Sequence, residues 1–158
     1  MKGSRLAITA VFLVALLSCS IPKRKAQPVD HLRSWSNTTV TEGEDPHAYG
    51  IGIELWKHNG EFTGFIDEYA GSVADPPAAK LESIQFDEKT GTISWAARLS
   101  IGAVFAQDKK EWIPAKYLYE FKGVAGADTM KGSLRKTLLL ESGKGTVEEE
   151  SIVLKNNI

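Results

Sequence analysis

Cysteine is almost absent from this chain: Cys19 is the only one among 158 residues. An intrachain disulfide is therefore excluded. Histidine is nearly as scarce. His31, His47 and His58 lie far apart, in tether or loop positions, and no two have ligand spacing. No Gly-x-Ser-x-Gly motif occurs. Asp67 and Glu68 are adjacent, so on a strand they point to opposite faces and cannot work as an acid–base pair. Gly143-Lys144-Gly145-Thr146 lacks the upstream glycine of a phosphate loop and sits between two strand patterns. These gaps predict a protein that is not an enzyme and has no metal and no cofactor. Basic surplus is missing too. The formal charge is −1, which leaves no case for nucleic acid as a partner. The run Leu6–Leu17, in which Thr9 is the one polar residue, has 12 residues, whereas a helix that crosses a bilayer needs about 20.

What is present begins with that short run. It follows a basic head, Lys2 and Arg5, and leads into Leu16-Leu17-Ser18-Cys19. Charged head, short apolar middle and small residue before the cut form the secretory signal pattern. The four residues resemble the lipobox of bacterial lipoprotein signal peptides. The resemblance implies removal of residues 1–18 and acylation of Cys19, whose thiolate is the nucleophile. It also implies a lipid-anchored, extracytoplasmic protein whose first partner is the membrane. Two or more chains hold stably, at about 0.8 kcal/mol per buried methylene. Ser20, rather than aspartate, follows the cysteine. By the same resemblance this implies the periplasmic face of the outer membrane in a Gram-negative source. Loss of Lys2 and Arg5 with the leader takes the formal charge from −1 to −3.

Residues 19–34 read as a flexible tether. Pro22, Lys23, Arg24, Lys25, Gln27 and Pro28 offer too little apolar surface to order themselves. The remainder, 35–158, suits one domain with a single core.

Within that domain the pattern alternates with period two. Tyr49, Ile51, Ile53 and Leu55 alternate with Gly50, Gly52, Glu54 and Trp56. Asn59-Gly60 then signals a two-residue hairpin. Seven further segments read as strands: Ser34 to Thr41, Glu61 to Ala70, Leu81 to Asp87, Thr92 to Leu99, Lys116 to Gly123, Thr129 to Leu139 and Val147 to Leu154. The fifth of the eight in chain order, Thr92 to Leu99, is expected to run on to Phe105 through a kink at Gly102, with a short helix near Ala103 as the alternative. Short connections between consecutive strands make them antiparallel. Eight of them in a meander predict an all-β, eight-stranded up-and-down barrel, which removes exposed edges. A two-sheet β-sandwich is the alternative.

Three stretches resemble avidins: Trp35-Ser36-Asn37, Gly60-Glu61-Phe62-Thr63-Gly64 and Thr92-Ile93-Ser94-Trp95. Their order along the chain agrees as well. The domain thus resembles the calycins, the group of small barrels that includes lipocalins, fatty-acid-binding proteins and avidins. The resemblance implies a ligand-binding interior. Leu138 stands where avidins carry a biotin-contacting tryptophan, so biotin is not the expected ligand.

Two functions from different classes follow. In the first, the barrel mouth binds a small apolar ligand, contacted by Trp56, Tyr69, Trp95 and Tyr119. Gly50, Gly52, Ala96, Ala97 and Gly132 are small enough to leave it room. In the second, the barrel is filled and its outer face or loops meet an envelope protein or the cell wall. Trp56 and Tyr69 lie opposite in parity to Leu55 and Ile66, so the direction of those two rings separates the classes.

Overall fold

The computed structural model describes residues 30–71, 73–106, 109–140 and 143–157. Cys19, the leader and the tether up to residue 29 lie outside the described residues. Among the described residues nine strands follow in order: β1 (Asp30–Ser36), β2 (Thr39–Val40), β3 (Ala48–His58), β4 (Glu61–Gly71), β5 (Ala78–Phe86), β6 (Thr92–Ala106), β7 (Glu111–Ala125), β8 (Thr129–Leu140) and β9 (Gly143–Asn156). Each strand from β3 to β9 pairs antiparallel with the next. β1 pairs with both β3 and β9, which closes an eight-stranded barrel. β2 is an extra, two-residue strand on the edge of β3.

Local chemistry explains the path. Asn59 and Gly60 both have positive φ, 53° and 83°, as the tight hairpin between β3 and β4 requires. β6 is continuous through Gly102, whose φ of 69° marks the kink, and its register with β7 shifts between Ser100 and Ala103. Beyond that shift β6 and β7 continue as a two-stranded hairpin. Pro114 sits in it opposite Ala103, before β7 meets β8 at Lys116. A proline is tolerated there because that limb has a strand on one side only.

The first expected strand differs. It begins at Asp30, inside the segment read as tether, and breaks after Ser36. The break has a built cause. The Ile51 N–H donates to the Asn37 side-chain oxygen at 2.8 Å, and the Asn37 N–H donates to the Ile51 carbonyl at 3.2 Å. This clamp turns the chain across Gly50. A Cβ at Gly50 would stand 2.8 Å from Asn37 Oδ1 and from Thr38 Cα.

The inward positions form one core. Trp35, Ile53, Leu55, Ile66, Ile93, Tyr119, Phe121, Met130 and Leu154 are buried almost completely. Trp95 stacks on Phe121, with ring centroids 5.4 Å apart and planes at 16°. The end where β1 enters is sealed. Phe62 meets Phe86 edge-on at 5.3 Å, Lys57 Nζ lies 5.3 Å over Phe62, and Lys57 pairs with Glu88 at 2.5 Å. The opposite end carries the segments between β2 and β3, β4 and β5, β6 and β7, and β8 and β9.

Candidate functional site

Leu55 and Ile66 are fully buried, so the rings of opposite parity face outward. Trp56 packs on the barrel's outside. It meets Phe65 edge-on at 5.7 Å and lies 5.4 Å from His31. Tyr69 shares the outer parity, opposite Gly50. Trp95 and Tyr119 point inward and are buried. The four aromatic residues expected around one ligand are therefore divided, two inside and two outside.

The small residues do not leave the expected room in a cup. The Phe121 ring covers Gly132, where a Cβ would stand 2.7 Å from Phe121 Cζ. Gly123, directly opposite Gly132, is covered by the same ring. Gly52 lies under the carboxylate of Asp67, its partner on β4, with a hypothetical Cβ 2.2 Å from Asp67 Oδ1. Half-burial there pushes the Asp67 carboxyl above the usual carboxylate range, against the opposing pull of the Asp67 and Gly52 main-chain N–H groups. Gly50 lies under Asn37, and Ala97 is fully buried. Ala96 has the outward parity, between Trp95 and Ala97.

Towards the open end the interior becomes polar. Glu68, next to Asp67 but on the inner face, accepts a hydrogen bond from the Tyr119 hydroxyl. Its other oxygen takes the Lys136 ammonium at 2.8 Å. Lys136 Nζ also lies 4.5 Å over the Tyr117 ring and 5.2 Å over Tyr119. A cation is thus held by one carboxylate and two aromatic faces, an arrangement strengthened by partial removal from water. Burial, then the Glu68 hydrogen bond and charge, push the Tyr119 hydroxyl far above its ordinary range. It stays protonated and remains a donor. Glu148 on β9 contributes to the same shift, which places its charge near this cluster. The Trp35 and Trp95 indole N–H groups are buried and find no hydrogen-bond partner among the described residues.

Sequence reasoning missed Glu68 and Lys136. The signal was available. Lys136 shares parity with Met130 and Leu134, and Glu68 shares it with Ile66, so two opposite charges break two apolar faces.

The outside of the open end has a different character. Among the described residues, six of the nine large exposed apolar side chains lie there: Val40, Tyr49, Val73, Phe105, Trp112 and Val147. Trp112 is 70 % exposed and meets Phe105, 39 % exposed, edge-on at 5.7 Å. Both sit on the β6–β7 hairpin that extends past the last β8 contact. Glu148, Glu149 and Glu150 are all exposed. Glu149 accepts from the Ser133 hydroxyl at 2.8 Å on the outer face, beside Glu120, Lys122 and Arg135. Among the described residues no three His, Cys, Asp or Glu side chains form a group able to hold a metal.

No protein-family model matches the chain, and no curated protein and no solved structure does.

Proposed function

We propose that this chain is a lipid-anchored, extracytoplasmic, non-enzymatic barrel that presents its far end to an envelope partner. The observation that carries this reading is the Trp112–Phe105 pair on the projecting hairpin. A large aromatic ring left mostly in water at the tip of an ordered element buries little of its area within the fold and fits an interaction site. The interior supports the same reading, because the expected cup is occupied by Phe121, Trp95 and the core around them. Acylation at Cys19 would attach the membrane to the end where β1 begins. Residues 20–29 span at most about 35 Å when extended, which keeps that end near the bilayer and leaves the hairpin, at the opposite end, free to reach away from it.

The test is a photoreactive residue at position 112 or, as the control, at position 61 in the β3–β4 hairpin. Illumination of intact cells should give a discrete crosslinked product at 112 and none at 61. Equal products at both positions, or none at 112, would refute the presentation of the far end. For the anchor, Cys19→Ala should release the protein from membranes or stall its processing, read by fractionation. An unmodified Cys19 in membrane-extracted protein, seen by mass spectrometry, would contradict it.

A ligand in the mouth is the second reading. The Glu68–Tyr119–Lys136 cluster favours it, because such a cluster could orient the polar end of an apolar molecule. Titration of tryptophan emission with fatty acids and aromatic metabolites tests it. A saturable change that Lys136→Met abolishes would support it, and a flat response would remove it.

A further inference from the structure

The barrel closes unevenly. β9 pairs with β8 from Gly143 to Lys155. On its other side only Lys155 and Asn156 meet β1, opposite Ser36 and Trp35. From residue 143 to 154 that second edge has no strand beside it among the described residues. Thr146, Val147, Glu148, Glu149, Glu150 and Ser151 are all exposed. The Asn37 clamp is the cause, because it holds the chain on β3, where β2 continues along the edge that β1 occupies, and so carries it away from β9.

An unpaired edge of this length is a template for another strand, and proteins usually blunt one with proline, a short strand or charge. β9 contains no proline and has 14 residues. Its protection is the acidic run. Pairing β9 with β9 of a second copy would set Glu148–Glu150 against the same residues, and like charges directly opposite destabilise a sheet. The same charges favour a basic strand.

We propose that the free edge of β9, from Thr146 to Val153, accepts an extended segment of another polypeptide with lysine or arginine at alternate positions. The incoming main chain would continue the sheet, as in other strand-addition complexes. Its basic side chains on one face would lie beside Glu148 and Glu150, which share the inner parity with Ile152 and Leu154. This surface is separate from the Trp112 hairpin and stands without it.

The test uses the full mature chain and a capped ten-residue peptide alternating lysine with threonine. Two readouts are needed: calorimetric affinity, and amide hydrogen exchange of residues 146–153. Binding should slow exchange across 146–153 selectively. N-methylation of the peptide backbone should abolish binding, and Glu148→Lys with Glu150→Lys should weaken it about tenfold or more. Trp112→Ala should leave it unchanged, which separates this surface from the far-end hairpin. Equal binding of the N-methylated peptide would overturn the proposal, since it would reduce the effect to charge alone. Unchanged exchange at 146–153, or a dimer through β9 in sedimentation, would overturn it as well. The exchange and N-methyl arms use the unmodified protein and do not depend on how the charge-reversed variant folds.

Discussion

Removing the Glu68 carboxylate should destabilise the barrel more than its position near an open end suggests. The side chains of Glu68 and Lys136 are only 15 % and 23 % exposed, so the pair is largely out of water. Glu68→Ala strands two donors at once. The Tyr119 hydroxyl, on a residue 1 % exposed, loses its acceptor. An unsatisfied buried donor costs about 1–3 kcal/mol. The Lys136 ammonium loses its counter-charge, and breaking a fully buried pair costs about 3–5 kcal/mol. Lys136 retains the Tyr117 ring and a route to the mouth, which reduces that cost. The expected loss is about 2–4 kcal/mol for Glu68→Ala. Lys136→Met leaves the Tyr119–Glu68 bond intact and fills similar volume, so about 1–2 kcal/mol is expected. The double variant Glu68→Leu with Lys136→Met replaces the whole pair by apolar groups, so it should lie near the wild type and well above Glu68→Ala. Urea unfolding of all four proteins at neutral pH measures the four stabilities. A Glu68→Ala protein within about 0.5 kcal/mol of the wild type would refute the reasoning. So would a double variant as unstable as the two single losses added.

Gly132→Ala should destabilise by about 1–3 kcal/mol, because its Cβ would fall 2.2 Å from the Lys122 carbonyl and 2.7 Å from Phe121 Cζ. Chemical denaturation measures this, and an unchanged midpoint would contradict the account of the covered interior. Asp67 gives a pH dependence. Its folded-state carboxyl lies above the ordinary 3.8, chiefly through burial. The folded chain therefore holds that proton more tightly than the unfolded chain, and stability falls as pH rises from 3.8 through the folded value. Asp67→Asn should flatten that part of the unfolding-midpoint profile, whereas parallel profiles would contradict the assignment.

The alternation of β3 and β4 and the Asn59-Gly60 turn were legible because one face of each strand is buried and the turn needs two positive φ values. The kink at Gly102 was legible for the same backbone reason. The parity of Trp56 and Tyr69 was legible too, since Leu55 and Ile66 fix the inner face. β1 was not. Asp30, His31, Arg33 and Ser34 look like tether, and they join the sheet through main-chain bonds to β3 that leave no mark in side-chain pattern. The open seam escaped notice for a related reason. It depends on one asparagine, Asn37, bonding across to Ile51 rather than on any periodicity. Nor did composition show how the interior is filled. Gly132 reads as space until the Phe121 ring is placed over it.

Oxidation of tryptophan by N-bromosuccinimide, mapped by mass spectrometry, tests the central claim most directly. Trp35 and Trp95 are 1 % and 3 % exposed, whereas Trp112 is 70 % exposed. In purified protein Trp112 should be oxidised first and the two buried rings last. In intact envelopes the account predicts that Trp112 becomes protected, because a partner covers the far end of the barrel. Equal oxidation of Trp112 in envelopes and in purified protein would contradict it.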